Sequence, residues 1–379
     1  MKCIFYISIS LILMIFFSFD NRKAEEKDLV RYLEKNWQSP EDYVINKFKD
    51  HDYVLIGEYH RIKHDVDLIL NLIPQLHEAG INNLCIEFGD YRDQHLIDSL
   101  LTLPHFDREL AKKIQFNNGP FWGYKEYIDI YKAAWEVNHS PNKKNKFRII
   151  AFNPHYDPCK EGKGDTWRSV NPDSVMFDVI KKEVIDKKLK ALIYSGSHHA
   201  FTKYYQPIYD FKSDSLCGYE YKRMGNFVNN LVGERAFNII LHYPWTSNKG
   251  WEADRILPAN GSIDSVMNIV GNKRVGFDTA GSQFGKLRAN DSYYALGYPD
   301  FHLEQYCDGY IFQKEIKDYV FVGLEPNFYN DNNFPRLKKY AACIGLDQDP
   351  MFSSVTVELA NKLELSKETA EGHFGNLMK

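Results

Sequence analysis

Short apolar runs that alternate with amphipathic segments constrain the fold of this chain more than any other feature. The runs are typical of buried β-strands, and the segments between them have the apolar spacing of α-helices. Strand, helix and strand in this order form right-handed parallel units. We therefore predict an α/β fold with a mostly parallel central sheet and helices on both faces. The predicted strands are 53–57, 82–89, 146–154, 190–200 (with its exit loop) and 236–245.

The predicted helices fill the intervals between these strands. In the first, one helical stripe contains Val66, Ile69, Leu70, Ile73 and Leu76, and Gly80 is placed to end the helix. The other predicted helices are 92–101, 107–115, 124–138 and 174–188. The C-terminal third is less regular, and there 274–281 and 319–323 either add two further strands or complete the cleft.

The chain divides into three predicted parts. Residues 1–22 contain an uncharged run, 3–19, after a short basic start, which is typical of a secretory signal peptide. No A-x-A cleavage site follows it, so an uncleaved membrane anchor is the alternative. Residues 23–325 form the predicted α/β domain and 326–379 a C-terminal extension, with two domains as the alternative for a chain of this length.

Composition excludes one class of partner and limits the cysteine chemistry. The net charge is −4, which gives no electrostatic basis for nucleic-acid binding. Five cysteines follow Cys3, so at least one is free or pairs between chains. None forms a C-x-x-C pair, which leaves a zinc knuckle unsupported, and Cys85 in an apolar strand is expected to be a core residue.

Polar side chains gather where the predicted strands end. The first strand ends at Glu58 and His60, and the second carries Glu87 near its end. The later strands end at Asn153, His155 and Asp157, at Ser197, His198 and His199, and at His242. In open parallel sheets, ligands bind beyond the carboxyl ends of the strands. The sequence therefore predicts an active cleft at this edge of the sheet.

Each of these residues also has a structural interpretation. A carboxylate in an apolar strand costs several kcal/mol unless it is paired, so Glu87 is either in an ion pair or part of a site. Its position at the strand end favours a site. If the strand continued, His198 and His199 would point to opposite faces, so that only one would face the cleft.

The available chemistry is acid–base or metal chemistry. The sequence has no G-x-S-x-G, H-E-x-x-H or phosphate-loop motif. Two carboxylates and one or two imidazoles can activate water as general base and acid. The same groups can hold a divalent cation with open positions for water, and the residues alone do not separate the two.

Three of these strand ends resemble a known superfamily. "GEYH" (57–60), "IEFG" (86–89) and "GSHHA" (196–200) occur in the order found in the erythromycin esterases, the ChaN-type haem-binding proteins and the Tiki proteases. The resemblance covers roughly residues 50–290. Residues 121–138, 223–239 and 275–285 are similar to the esterase branch, whereas the single residue between Glu58 and His60 matches the ChaN group.

The resemblance implies roles for these residues. His60 would activate water with support from Glu58 and Glu87, and His199 would orient water, polarise a substrate carbonyl or bind metal. We expect His155 and His198 to contact the substrate. If a divalent metal is bound, its expected ligands are Glu58, His60 and His199.

The leading hypothesis is an exported hydrolase, periplasmic or attached to the cell envelope, that cleaves an ester or amide in a small molecule or peptide. Membrane contact is expected only through an uncleaved N-terminal segment. The alternative is a ChaN-like haem- or metal-binding protein without turnover. Haem requires an apolar slot and an axial His or Tyr.

Overall fold

The computed structural model describes residues 25–141, 145–155, 157, 159, 171–250, 253–346, 354–362 and 370–378. The predicted signal peptide or anchor at 1–22 lies outside the described residues. Among the helices that are described, none is both long enough and apolar enough to cross a membrane.

Eleven strands and thirteen α-helices can be assigned within these described ranges. The strands are β1 Tyr53–Glu58, β2 Asn83–Asp90, β3 Arg148–Asn153, β4 Ala191–Gly196, β5 Gln206–Asp210, β6 Ser215–Glu220, β7 Ala236–Leu241, β8 Trp245–Thr246, β9 Arg255–Ile256, β10 Val275–Asp278 and β11 Gly309–Phe312. The helices are α1 25–36, α2 Pro40–Lys47, α3 Lys63–Glu78, α4 Gln94–Leu100, α5 Arg108–Asn118, α6 Lys125–Asn138, α7 Pro172–Ile180, α8 Met224–Val232, α9 Ser262–Ile269, α10 Leu303–Tyr306, α11 Phe334–Cys343, α12 Val357–Lys362 and α13 Ala370–Phe374.

A seven-stranded sheet organises the molecule, in the order β10-β11-β7-β1-β4-β2-β3. All neighbouring strands pair in parallel except β10, which runs antiparallel to β11 at the edge. The predicted α/β fold with a mostly parallel sheet is therefore confirmed. The strands β1, β4 and β2 are consecutive at the centre, so their carboxyl ends lie side by side.

Alternation along the strands separates the two faces of the sheet. In β1, Val54 and Ile56 pack into one hydrophobic cluster, whereas Tyr53 and Leu55 pack into another on the opposite face. Helices α3 and α6 cover the first face, and α7 and α8 cover the second. Glu58 has the same parity as Ile56, so the strand directs its side chain towards the face that α6 covers.

In its contribution to the seven-stranded sheet, the C-terminal third differs from the prediction in two places. Residues 319–323 do not form a strand of the sheet, because Phe321 makes only an isolated bridge to Ile62. The sheet instead contains β11, which the sequence prediction missed and which lies between β7 and β10. Of the two strand candidates, 274–281 is the correct one and contains β10.

The C-terminal residues pack onto the α/β core. Leu337 of α11 and Ala360 of α12 belong to the cluster on the α3 side of the sheet, and Phe374 of α13 belongs to a second cluster near β10 and β11. A disulfide joins Cys159, which follows β3, to Cys343 at the end of α11. Among the described residues Cys85, Cys217 and Cys307 are free, and Cys85 is buried as expected.

Candidate active site

Three adjacent strand ends bring the predicted site residues together. Glu58 at the end of β1 is paired in register with Gly196 at the end of β4, and β2, which carries Glu87, lies on the other side of β4. Because parallel neighbours end at the same edge, the loops that carry His60 and His199 leave the sheet beside Glu87. The side chains of Glu58, His60, Glu87 and His199 form a connected group at this edge.

Glu58 is the buried support of this group. Its side chain is fully enclosed, and it accepts hydrogen bonds from His60 Nδ1 at 2.9 Å and from the Tyr127 hydroxyl at 2.6 Å. The Tyr194 hydroxyl donates to its other oxygen. Burial raises the pKa of Glu58, although the hydrogen bonds from His60 and the two tyrosines act in the opposite direction. Glu58 therefore fixes the orientation of the His60 ring.

His60 turns its second nitrogen towards the cleft. Its Nε2 lies 4.0 Å from Glu87 Oε1, and the side chain is 36% exposed. The ring meets Trp122 edge to face at 5.3 Å between centroids. Burial lowers the pKa of His60, but the hydrogen bond to Glu58 and the charges of Glu87 and Glu58 more than offset this, so that the pKa is raised.

Glu87 lies between two imidazoles. Its Oε1 is 4.0 Å from His60 Nε2 and 3.6 Å from His199 Nε2, and its Oε2 accepts a 2.7 Å hydrogen bond from the Gly196 N–H. One oxygen is therefore fixed by the backbone of β4, while the other faces both rings. The separations to the two rings are longer than direct hydrogen bonds.

His199 is held by a carboxylate that was not predicted. Its Nδ1 lies 2.6 Å from Asp173 Oδ1, near the N-terminus of α7. Burial lowers the pKa of His199, but the charge of Glu87 and the hydrogen bond to Asp173 more than offset this, so that the pKa is raised. Asp173 also accepts from the Met224 N–H at 2.8 Å, which fixes the carboxylate between α7 and α8.

The other predicted histidines lie around this group. His198 Nε2 is 3.1 Å from the Tyr294 hydroxyl, and burial lowers the pKa of His198 to about 3, which keeps the ring neutral. His155 lies farther along the sheet edge, where its Nδ1 contacts Asp90 at 2.6 Å. His242 is buried against Tyr310 and Asp264.

Two cavities meet at His60. The tyrosine cavity has a volume of about 330 Å³, and its lining includes His60, His198, His199, Tyr243 and Tyr294. The Trp122 cavity, also about 330 Å³, is lined by His60 and Glu87 together with Phe88, Trp122 and Tyr340. Each has room for an organic group of moderate size, so a substrate can reach His60 from either side.

The structure does not arrange the predicted metal ligands as one set. Glu58 contacts the Nδ1 side of His60, behind the ring, and its oxygens already accept hydrogen bonds from His60, Tyr127 and Tyr194. Within the described ranges, no group of three or more His, Cys, Asp or Glu side chains is placed to hold a metal ion. Metal and haem binding both stay predictions.

Three supporting residues were missed by the sequence analysis. Tyr127 and Tyr194 donate to Glu58, and Asp173 contacts His199. Tyr194 could have been predicted from the sequence, because it lies two residues before Gly196 in an apolar strand and alternate residues of a strand lie on the same face. Tyr127 and Asp173 lie on helices distant in sequence, and no local pattern distinguishes them from ordinary core and helix-terminal residues.

Comparison with known proteins gives structural matches alone. No family model and no curated protein matches the sequence. A solved structure of a succinoglycan biosynthesis protein matches with a TM-score of 0.53 and 11% identity, over 79% of this chain and 99% of that one. A Bacillus cereus protein matches with a TM-score of 0.49 and 10% identity, over 79% and 99% of the two chains. A mutant erythromycin esterase in its open conformation matches with a TM-score of 0.49 and 9% identity, over 78% of this chain and 100% of that one.

At these identities the likeness concerns the fold and not the activity. The match at a TM-score of 0.53 covers 79% of this chain and 99% of the other, so the two proteins share a fold over that part of this chain. The α/β fold that the resemblance implies is supported by this likeness of fold.

Proposed function

We propose that this protein is a hydrolase that activates water between His60, Glu87 and His199 to cleave an ester or amide. The observation that carries the proposal is the position of Glu87 Oε1, 4.0 Å and 3.6 Å from the Nε2 atoms of two imidazoles. Each imidazole is oriented through its Nδ1 by a second carboxylate, Glu58 or Asp173. Such paired orientation is what general acid–base catalysis requires.

In the proposed mechanism, His60 Nε2 removes a proton from a water molecule whose other O–H donates a hydrogen bond to Glu87 Oε1. The resulting hydroxide attacks the carbonyl carbon, and His199 Nε2–H donates a hydrogen bond to the carbonyl oxygen as it becomes negative. The bond from the carbonyl carbon to the leaving oxygen or nitrogen then breaks as the protonated His60 donates its proton to that atom, which releases the alcohol or amine and leaves the acid product. The buried carboxylate of Glu58 stabilises the imidazolium during this cycle, and Asp173 has the same effect on His199.

Two features support an organic ester or amide as the substrate class. The motifs "GEYH", "IEFG" and "GSHHA" resemble a superfamily that contains esterases and proteases. The cavities on both sides of His60 are lined by aromatic side chains together with a few polar groups, which is typical of sites for small organic molecules. A small molecule or a peptide segment would place its scissile carbonyl at His60.

The test is hydrolysis of a panel of 4-nitrophenyl esters and peptide anilides by the wild-type protein and by Glu87→Gln. The amide oxygen can keep the hydrogen bond from the Gly196 N–H, so the variant is expected to fold. Loss of the carboxylate should lower kcat/KM by a factor on the order of 10²–10⁴. Running the panel with and without a chelator tests metal dependence separately.

Glu136→Gln is the matched control, because Glu136 is an exposed residue of α6 that pairs only with the exposed Lys132 among the described residues. It should retain wild-type turnover. A folded Glu87→Gln protein with full activity would refute the proposed role of Glu87. Absence of turnover across the whole panel in the wild-type protein would count against the hydrolase assignment itself.

We also propose that the protein is exported, to the periplasm or the cell envelope. The uncharged run 3–19 and the Cys159–Cys343 disulfide support this, because disulfides persist mainly in oxidising compartments. Fractionation of cells that express the full chain, with mass spectrometry of its N-terminus, should find the protein outside the cytosol. The same spectrum decides between a cleaved signal and an anchor.

A further inference from the structure

We infer that the cavity beyond the Trp122 cavity is a subsite for an anionic group, a carboxylate or phosphate, on the substrate. This inference rests on the proposed function for its catalytic consequence. The basic cavity, as we name it, has a volume of about 350 Å³. Its lining includes three cationic side chains from separate parts of the chain, Arg92, Arg336 and Lys339, together with His155 and Asp157.

The basic cavity adjoins the Trp122 cavity. Both are lined by Asn118 at the end of α5, by Gly119 and Pro120 after it, and by Tyr340 of α11, and these residues form a shared wall. On one side of this wall lie His60 and Glu87, and on the other lie the cationic side chains. A molecule whose scissile carbonyl lies at His60 can therefore extend along the wall and place a distal group among the cations.

Two of the cations have no carboxylate partner within the described residues. Arg336 donates to the amide oxygen of Asn117 at 2.6 Å and lies over the Phe116 ring, and neither contact neutralises its charge. Lys339 follows three residues later on α11, so both side chains emerge on the same face of the helix. An arginine and a lysine on one wall of a cavity offer several N–H donors to an anion.

The third cation is oriented for binding. Arg92 contacts the buried Asp90 through Nε at 3.3 Å and Nη2 at 3.2 Å, and His155 contacts the same carboxylate at 2.6 Å. Asp90 therefore holds both side chains at the cavity, while Arg92 keeps further N–H groups for a ligand. The contact with Asp90 explains the position of His155. From the sequence this residue was expected to contact the substrate, and in the structure it lines the basic cavity, apart from His60.

The charges in the basic cavity favour an anion even after these pairs are counted. Among the described residues, Asp90 balances Arg92, and Asp157, the one carboxylate residue that lines the cavity there, is outweighed by Arg336 and Lys339 together. The chain as a whole carries a net charge of −4, so this positive region is local. Planar guanidinium groups match carboxylate and phosphate oxygens in geometry, which indicates this ligand class.

The first experiment measures binding without catalysis. Isothermal titration with inorganic phosphate and with glutarate compares the wild-type protein, Arg336→Gln/Lys339→Gln and Lys338→Gln. Lys338 is exposed on the same helix and does not line the cavity. At least one anion should bind the wild-type protein and Lys338→Gln equally and the double variant at least tenfold more weakly. Equal affinity in all three proteins, or no binding to the wild type, would overturn the subsite.

The second experiment measures selectivity. The mono-4-nitrophenyl ester of glutaric acid and the neutral 4-nitrophenyl valerate have acyl chains of matching length. The double variant should lose about tenfold in kcat/KM for the anionic ester, mainly through a higher KM, and should retain activity on the neutral one. An unchanged preference contradicts the subsite. If neither of these esters nor any member of the earlier panel is hydrolysed, the proposed function fails, whereas the titration still decides whether the anion site exists.

Discussion

At the scale of single residues, the site repeats one arrangement twice. His60 lies between Glu58 and Glu87, and His199 lies between Asp173 and Glu87. An imidazole between two carboxylates is stabilised in its charged form, and this explains why the pKa of each ring is raised in spite of burial. Glu87 is shared by both pairs, so its charge couples the two histidines.

The charge of Asp173 should be visible in the titration of His199. Asp173→Asn keeps an acceptor oxygen for His199 and for the Met224 N–H but removes the negative charge, so the pKa of His199 should fall. In NMR titrations of the imidazole Cε1–H signals, the midpoint for His199 should lie above the ordinary value of about 6.5 in the wild-type protein. The midpoint in Asp173→Asn should be lower.

The same shift has a consequence for stability. A histidine whose pKa is raised in the folded state stabilises that state fully below its unfolded pKa, and this contribution is lost as the pH rises through the folded value. Between the unfolded and the folded pKa of His199, the free energy of unfolding should therefore change less with pH in Asp173→Asn than in the wild-type protein. Asp178→Asn on the exposed side of α7 is the control and should leave the titration of His199 unchanged. If the titration midpoint of His199 is the same in Asp173→Asn as in the wild-type protein, the charge of Asp173 does not stabilise the imidazolium, and the aspartate only links α7 to α8.

At the scale of elements, the end of β4 makes room for the catalytic ring. A Cβ at Gly196 would lie 2.7 Å from His60 Cε1 and 2.9 Å from His60 Nε2. Gly196→Ala should therefore displace the His60 ring while the strand itself persists. Displacements of about 1 Å at a catalytic group cost on the order of 10² in rate. We expect a loss of this size in kcat/KM on the most reactive ester of the panel, with an unchanged circular dichroism spectrum.

Gly323→Ala serves as the control for this glycine, because a Cβ there meets no atom within 4 Å and its φ is not positive. It should be fully active. Wild-type activity in Gly196→Ala would mean that His60 tolerates the displacement and is not the group that handles the proton.

The elements also show how far the sequence predicts the structure. The five strands that end in polar residues were correctly predicted, because buried parallel strands are short apolar runs between amphipathic helices. The short β11 was missed, since its four residues have no distinctive period and their strand state depends on pairing with β7 and β10. Residues 319–323 have the composition of a strand but find no place in the sheet. For β11 and for residues 319–323, pairing with neighbouring strands in the folded protein determined whether the residues form a strand.

At the scale of the whole molecule, the site depends on contacts that sequence cannot supply. The order of strand ends predicted that Glu58, Glu87 and His199 would meet, since parallel strands share an edge. Asp173 and Tyr127 reach the same point from helices on opposite faces of the sheet, and only the folded chain brings them there. The odd number of cysteines after Cys3 likewise did not indicate which cysteines pair, whereas the structure joins Cys159 to Cys343.

This disulfide connects the C-terminal extension to the loop after β3 and should contribute to global stability. It joins residues 184 positions apart, and cross-links that close long loops restrict the unfolded chain most. Cys159→Ser/Cys343→Ser should lose about 3–5 kcal/mol in the free energy of unfolding, measured by urea denaturation under non-reducing conditions. Cys217→Ser removes an exposed free thiol and should leave the midpoint unchanged. If the double variant unfolds at the wild-type midpoint, the packing of Leu337, Ala360 and Phe374 is sufficient to hold the extension on the core, and the disulfide adds nothing to it.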